Sequence, residues 1–126
     1  MNQVSRSWPA KFASAFRGIW IAIRNERSFA VHVPMAVAVI VSAVVLRVSL
    51  VEACLLGVCM GLVLAAEMFN TAIEFLSREI TGDQRPAIAA ALDMASGAVL
   101  TVSLASAIIG GMIFLSRLCA ILGWCR

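Results

Sequence analysis

Long apolar runs occupy most of the chain and are interrupted by short polar stretches. Three of these runs are long enough to cross a bilayer, which takes about 20 residues of helix. We therefore predict an all-α membrane protein with transmembrane helices over residues 29–50, 51–78 and 87–118. Pro34 lies in the first turns of the first run, where its missing N–H costs least.

The segment before these runs, residues 8–27, has a different pattern. At about 100° per residue, Trp8, Phe12 and Phe16 fall on one side of a helix and the basic residues fall on the other sides. This pattern predicts an amphipathic helix lying on the membrane surface. Glu26 breaks the pattern, because it projects onto the apolar face.

Composition and charge agree with a single membrane domain over residues 1–126. The chain has 126 residues, 62% of them hydrophobic and 13% charged, with a mean hydropathy of +0.97. Basic residues are concentrated before residue 28 and in the connector 77–87, which carries Arg78 and Arg85. The positive-inside rule then predicts a cytoplasmic N-terminus and a cytoplasmic connector. Because the basic residues adjoin a span, we expect them to meet lipid headgroups or nucleotide phosphates, and no nucleic acid.

Polar residues interrupt the stretch GLVLAAEMFNTAIEFL, residues 61–76. Glu67, Asn70, Thr71 and Glu74 have helical spacing and share one stripe. Glu67 and Glu74 are about 10.5 Å apart along the axis, which is too far for one shared proton. Ionisable groups within a span are costly and indicate function. The alternative is a polar stripe that only joins helices.

Acidic residues occur at three places: Glu26, Glu67 with Glu74, and Asp93. With basic residues nearby, they predict a divalent cation bound together with a phosphate, and Mg²⁺ takes such oxygen ligands. Asp93 has a simpler interpretation as a charge that complements the start of a helix. His32 stands alone near the start of a span and is interpreted as a structural or interfacial residue.

Four motifs resemble a known family, the small integral-membrane diacylglycerol kinases of bacteria, together with the undecaprenol kinases that share their fold. The motifs are FRG at 16–18, NERSF at 25–29, AEMFNTAIE at 66–74 and LDMASGAVL at 92–100. The resemblance implies a homotrimer in the bacterial inner membrane, each subunit having a surface helix and three spans. It also implies transfer of the γ-phosphoryl of Mg·ATP to a lipid hydroxyl, most simply diacylglycerol giving phosphatidic acid.

The resemblance also implies a role for each matching residue. Glu67 would be the general base on the lipid hydroxyl, and Asn70 and Ser96 would contribute to the lipid site. Glu26 and Glu74 would bind the divalent cations that bridge the ATP phosphates. Asp93 would contribute to the nucleotide site.

Two positions depart from the family pattern. Leu92 stands where the family has lysine, and Arg78 stands where it usually has aspartate. Leucine cannot neutralise a phosphate, so we hypothesise that Arg78 or Arg85 supplies the missing positive charge.

Three alternatives to a diacylglycerol kinase follow from the sequence. The first is an undecaprenol kinase, and the second is a non-catalytic membrane relative that keeps the trimeric scaffold. The third, a small proton-coupled multidrug exporter, is disfavoured because such exporters have four spans with the key acidic residue in the first.

Overall fold

The computed structural model describes residues 7–25, 27–80 and 85–124, and this part of the chain forms four helices. The helices are α1, Trp8–Asn25; α2, Phe29–Val45; α3, Leu50–Ile80; and α4, Pro86–Ile121. The predicted all-α fold is confirmed. The predicted bounds of α1, α3 and α4 agree with the structure to within three residues.

The first predicted span ends earlier than expected, at Val45 and not at residue 50. The backbone N–H of Val48 donates to the carbonyl of Ala43 (3.1 Å), and Arg47 adopts a left-handed conformation with φ of 50°. This arrangement is the usual way to end a helix, although the left-handed position is normally glycine. An arginine there gave no stop signal in the sequence, so the predicted span extended too far.

A capping box starts α3 immediately after that turn. The backbone N–H of Ser49 donates to the carboxylate of Glu52 (2.6 Å), and the backbone N–H of Glu52 donates to Ser49 Oγ (3.3 Å). The pattern of a serine followed three residues later by a glutamate is a known start signal for helices. The boundary between the first two predicted spans was therefore legible in the sequence.

Two of the described helices, α3 and α4, are long and apolar enough to cross a membrane. α2 has 17 residues, which gives about 26 Å of helix against a hydrocarbon thickness of about 30 Å. α1 and α2 meet the criterion only as a pair, with a bend of 102° between them. The described chain thus has two spans, or three if that pair forms one, and the predicted count of three is not confirmed.

α3 and α4 pack as an antiparallel pair. Ser106 Oγ of α4 donates to the carbonyl of Cys59 on α3 (3.5 Å), and a Cβ added at Gly110 would lie 3.7 Å from a methyl of Leu56. Small residues on α4 therefore let the two helices approach closely. The same register places Leu92 of α4 level with Glu74 of α3.

An ion pair joins the ends of α3 and α4 that lie far from the polar stripe. Arg117 Nε donates to both carboxylate oxygens of Glu52 (3.1 and 2.9 Å), and Arg117 Nη2 donates to Glu52 Oε2 as well. Glu52 therefore caps α3 and binds α4 at once. Such a bidentate arginine–carboxylate pair fixes the relative position of the two side chains better than a single hydrogen bond does.

Replacing Arg117 with leucine is expected to lower the thermal unfolding temperature in detergent, because Glu52 then loses its charged partner. The double variant Glu52→Gln/Arg117→Leu should unfold at a higher temperature than Arg117→Leu, since it leaves no unpaired charge and glutamine still completes a capping box. A double variant no more stable than Arg117→Leu would contradict this account of the pair.

The apolar face of α1 is exposed in the single chain. Trp8, Phe12 and Phe16 are all largely accessible, as expected of a helix whose apolar face meets the membrane interface. Large apolar side chains are also exposed along α3 and α4, where lipid or a second copy of the chain would cover them. The structure contains one chain, so the homotrimer stays a prediction.

Candidate functional site

Glu67 is the most deeply buried charged residue among those described, with 5% of its surface exposed. Its Oε1 lies 2.8 Å from Nε2 of His32 on α2. Burying a carboxylate without a partner is costly, and the imidazole supplies one. The polar stripe of α3 therefore contacts a residue that lies 35 positions earlier in the chain.

The part of the stripe nearer the C-terminal end of α3 forms a second set of contacts. Asn70 Nδ2 donates to Glu74 Oε1 (2.8 Å), and Ser96 Oγ of α4 donates to Asn70 Oδ1 (3.4 Å). Arg78 Nη2 lies 3.5 Å from Glu74 Oε2, one turn further along α3. The structure thus brings Asn70 together with Ser96, and Glu74 together with Arg78.

Thr71 lies between these two sets of contacts. It is only 3% exposed, and its Oγ1 has no hydrogen-bond partner in the described chain. An unsatisfied buried hydroxyl costs about 1–3 kcal/mol. Thr71 is one helical turn from Glu67 on the same stripe, so this uncompensated hydroxyl belongs to the same buried polar surface.

The two carboxylates lie at different depths along α3. Measured from Glu52 at about 1.5 Å per residue, Glu67 is about 22 Å along the helix and Glu74 about 33 Å. The hydrocarbon core of a bilayer is about 30 Å thick. If Glu52 marks one boundary of that core, Glu67 lies inside it and Glu74 lies at the opposite boundary.

A cavity of about 440 Å³ opens between α2, α3 and α4. Its walls are apolar side chains such as Met35, Met60 and Leu64, apart from two serine hydroxyls and His32. His32 is also bonded to Glu67, so this residue connects the cavity wall to the buried carboxylate. This arrangement fits a molecule with an apolar chain and one polar end.

The other predicted site residues are Asp93 and Glu26, and the described part of the chain shows no hydrogen bond or ion pair that connects them to the polar stripe. Asp93 is exposed on α4, and no hydrogen bond or ion pair connects it to the other described site residues. Glu26 lies outside the described residues, so its predicted contact with the catalytic helix is not tested. The register of α3 and α4 places Leu92 at the same height as Glu74. Leu92 is apolar, whereas the family pattern has a lysine at this position.

Glu74 is the described residue of the stripe that is best placed to hold Mg²⁺. In the described chain, no three His, Cys, Asp or Glu side chains are grouped closely enough to hold a metal ion. Mg²⁺ commonly uses one or two carboxylates and completes its coordination with water and substrate phosphates. The side chain of Glu74 is 30% exposed and presents hard oxygen donors, which fits that kind of site.

Comparison with known proteins gives the family. The family model for prokaryotic diacylglycerol kinase matches residues 13–114. The chain belongs to the prokaryotic diacylglycerol kinase family. It is 37% identical over 117 residues to an undecaprenol kinase of Bacillus subtilis, covering 93% of this chain and 94% of that protein. It is 31% identical over 121 residues to a diacylglycerol kinase of a Synechocystis species, covering 95% of this chain and 69% of that protein.

No solved structure matches the chain significantly. Membership in the prokaryotic diacylglycerol kinase family indicates a lipid kinase, which is a transferase, and agrees with membrane-spanning helices. The predicted resemblance is therefore confirmed.

Sequence reasoning missed one residue of this site, His32. Its only signal is its place on α2, three residues after the buried Phe29, which puts both on one helix face. That spacing indicates a side chain turned towards the protein, but it does not identify the partner. Contact with Glu67 follows from the packing of α2 against α3.

Proposed function

We propose that this protein transfers the γ-phosphoryl group of ATP to the hydroxyl of a membrane lipid alcohol. The observation that carries the proposal is the carboxylate of Glu67, which is buried within a membrane-spanning helix and is bonded to His32, a residue that lines an apolar cavity. A lipid alcohol has the complementary form, with an apolar chain to fill the cavity and a hydroxyl to meet the carboxylate.

The reaction needs one proton transfer and one displacement. Glu67 accepts the proton of the lipid hydroxyl as the hydroxyl oxygen forms a bond to the γ-phosphorus. The bond between that phosphorus and the bridging oxygen breaks, and ADP leaves with the electron pair. Phosphoryl transfer depends mainly on positioning and charge neutralisation, so one base and a well-held hydroxyl supply much of the protein's part.

Glu74 lies where the nucleotide would approach, at the end of α3 that we place at the cytoplasmic boundary. Together with Glu26 it would hold Mg²⁺, which when bound neutralises charge on the phosphates. The amide nitrogen of Asn70 donates to Glu74 and orients it, while the amide oxygen of Asn70 accepts a hydrogen bond from the hydroxyl of Ser96. Asp93 would contribute to the nucleotide site from α4, and a homotrimer would add neighbouring surfaces to it.

Two lipid alcohols are candidate substrates. Diacylglycerol is suggested by the family description and by the Synechocystis relative. Undecaprenol is suggested by the Bacillus subtilis relative, with which the chain shares 37% identity over nearly the whole of both proteins. We place the two candidates on equal footing, since the apolar cavity accepts hydrocarbon and does not by itself distinguish acyl chains from isoprene units.

The test is a phosphoryl-transfer assay with the full-length protein in lipid nanodiscs. The protein is incubated with Mg·ATP labelled in the γ-phosphate and with either diacylglycerol or undecaprenol. Triacylglycerol and undecaprenyl acetate are the matched controls, because they carry the same chains without a free hydroxyl. Label should enter the lipid fraction only with a free alcohol, and the preferred alcohol identifies the substrate. Absence of label with both alcohols would overturn the proposal in favour of a non-catalytic relative.

Arg78 is our candidate for the positive charge that Leu92 lacks. Its guanidinium is next to Glu74, and Leu92 is level with Glu74 across the helix pair. Because the Arg78 side chain is 65% exposed, its pair with Glu74 adds little to stability. A loss of activity on removing Arg78 would therefore reflect nucleotide binding or transfer.

Arg78→Ala is expected to lower kcat/KM for ATP by about tenfold, whereas Arg78→Lys should retain most of it because the charge stays. Steady-state kinetics at saturating lipid measure both. Arg85→Ala is the parallel variant, since Arg85 precedes α4 and is the other candidate. Unaltered kinetics in Arg78→Ala would remove Arg78 from the scheme, and a loss confined to Arg85→Ala would transfer the role to Arg85.

A further inference from the structure

His32 has no part in the roles that the family resemblance implies, and yet it is bonded to the candidate base. Its Nε2 lies 2.8 Å from Glu67 Oε1, and its side chain is 22% exposed against 7% for that of Glu67. No other hydrogen bond to the Glu67 carboxylate is found in the described chain. The imidazole is therefore the one described group that fixes the orientation of this carboxylate.

The chemistry of the pair determines where the proton lies. A general base must be ionised, and an ionised carboxylate only accepts hydrogen bonds. Nε2 of His32 must then carry the hydrogen and donate it to Oε1. With Oε1 occupied in this way, Oε2 is the oxygen left to accept the proton of a substrate hydroxyl.

We propose that His32 is a positioning residue for Glu67. Its Nε2–H holds Oε1 so that Oε2 points to the place where the lipid hydroxyl arrives from the cavity that His32 also lines. This inference rests on the proposed function, because it assigns His32 a role in the same reaction. His32 does not itself exchange a proton with the substrate.

The geometry distinguishes the two ring nitrogens, and amide side chains can test them separately. The amide nitrogen of glutamine reaches about as far from the backbone as Nε2, whereas that of asparagine reaches only as far as Nδ1. His32→Gln should therefore restore a donor to Oε1. His32→Asn has the same chemistry but falls short, and His32→Leu fills space without a donor.

The kinetic test compares these three variants with the unmodified protein in the nanodisc assay. We expect kcat to fall on the order of 10- to 100-fold in His32→Leu and His32→Asn, because a misplaced base costs rate. The KM for ATP should change by less than about twofold, since the nucleotide lies further along α3. His32→Gln should recover most of kcat. Full activity in His32→Leu, or equal losses in His32→Gln and His32→Asn, would overturn the proposal.

A spectroscopic test needs no turnover. His32 is the sole histidine of the sequence, so every ¹⁵N-imidazole signal of the labelled protein comes from this residue, and only its two ring nitrogens need to be told apart. We expect the Nε2 signal to be that of a nitrogen that carries a hydrogen, and we expect this signal to shift in Glu67→Gln. Glu79→Gln, a matched change at an exposed residue of the same helix, should leave the signal unchanged. A ring with a bare Nε2, or a signal indifferent to Glu67→Gln, would refute the hydrogen bond even if a His32 variant failed to fold.

The two proposals fail in different ways. If no lipid alcohol is phosphorylated by the unmodified protein, the proposed function is wrong, and the imidazole spectrum still decides whether the pair exists. If the unmodified protein is active and the His32 variants keep its kcat, the lipid kinase stands and the positioning role is wrong.

Discussion

Glu67→Gln is expected to reduce phosphoryl transfer by roughly 10²- to 10⁴-fold, the range that a general base contributes. Glutamine has nearly the same shape, and its carbonyl oxygen can still accept a hydrogen bond from His32. The substitution therefore removes the proton acceptor while keeping the packing of α3. The fall should appear in kcat, with the KM for ATP little changed, because the nucleotide is bound further along the helix.

The control for this experiment is Glu79→Gln. Glu79 lies on the same helix but is exposed, so the same chemical change is made outside the polar stripe. It should leave turnover unchanged. If Glu67→Gln kept more than about a tenth of the normal rate, Glu67 would not be the base, and the buried pair with His32 would have a structural role only.

Glu74→Gln is expected to raise the Mg²⁺ concentration needed for half-maximal activity by about tenfold or more, because Mg²⁺ prefers an anionic oxygen. Glutamine can still accept the amide hydrogen of Asn70, so the local hydrogen bond survives. The measurement is a titration of turnover with Mg²⁺ at saturating ATP and lipid. Binding of Mn²⁺ to the protein–ATP complex, followed by electron paramagnetic resonance, gives the same information without turnover.

Glu79→Gln again provides the control, since it removes one negative charge five residues further along α3. Glu74→Gln also breaks the ion pair between Glu74 and Arg78. Arg78→Ala breaks the same ion pair but keeps the Glu74 carboxylate, so it shows how much of the effect comes from losing the pair. An unaltered Mg²⁺ dependence in Glu74→Gln would exclude Glu74 as a metal ligand. The predicted metal site would then have to be built without it.

The polar stripe explains why a membrane helix keeps several polar side chains. Each described member except Thr71 has a partner that offsets part of the cost of burial: His32 for Glu67, Ser96 for Asn70 and Arg78 for Glu74. The unsatisfied Thr71 hydroxyl lies between the deep and shallow contacts.

Local signals determined most of the secondary structure. The length of each apolar run predicted α3 and α4, and the capping box at Ser49 would have placed the start of α3 correctly. The early end of α2 was missed because Arg47 adopts a conformation that glycine usually provides. A left-handed conformation is uncommon for arginine, so its residue type gives no sign of it.

The sequence by itself determined the membrane-spanning character, the family motifs and the stripe from Glu67 to Glu74, because helical periodicity places residues three and four apart on one face. Only the tertiary structure decided which groups meet that stripe. His32 and Glu67 are 35 positions apart, Asn70 and Ser96 are 26 apart, and Glu52 and Arg117 are 65 apart. Such contacts depend on how helices pack and in which register, and no periodicity within one helix contains that information.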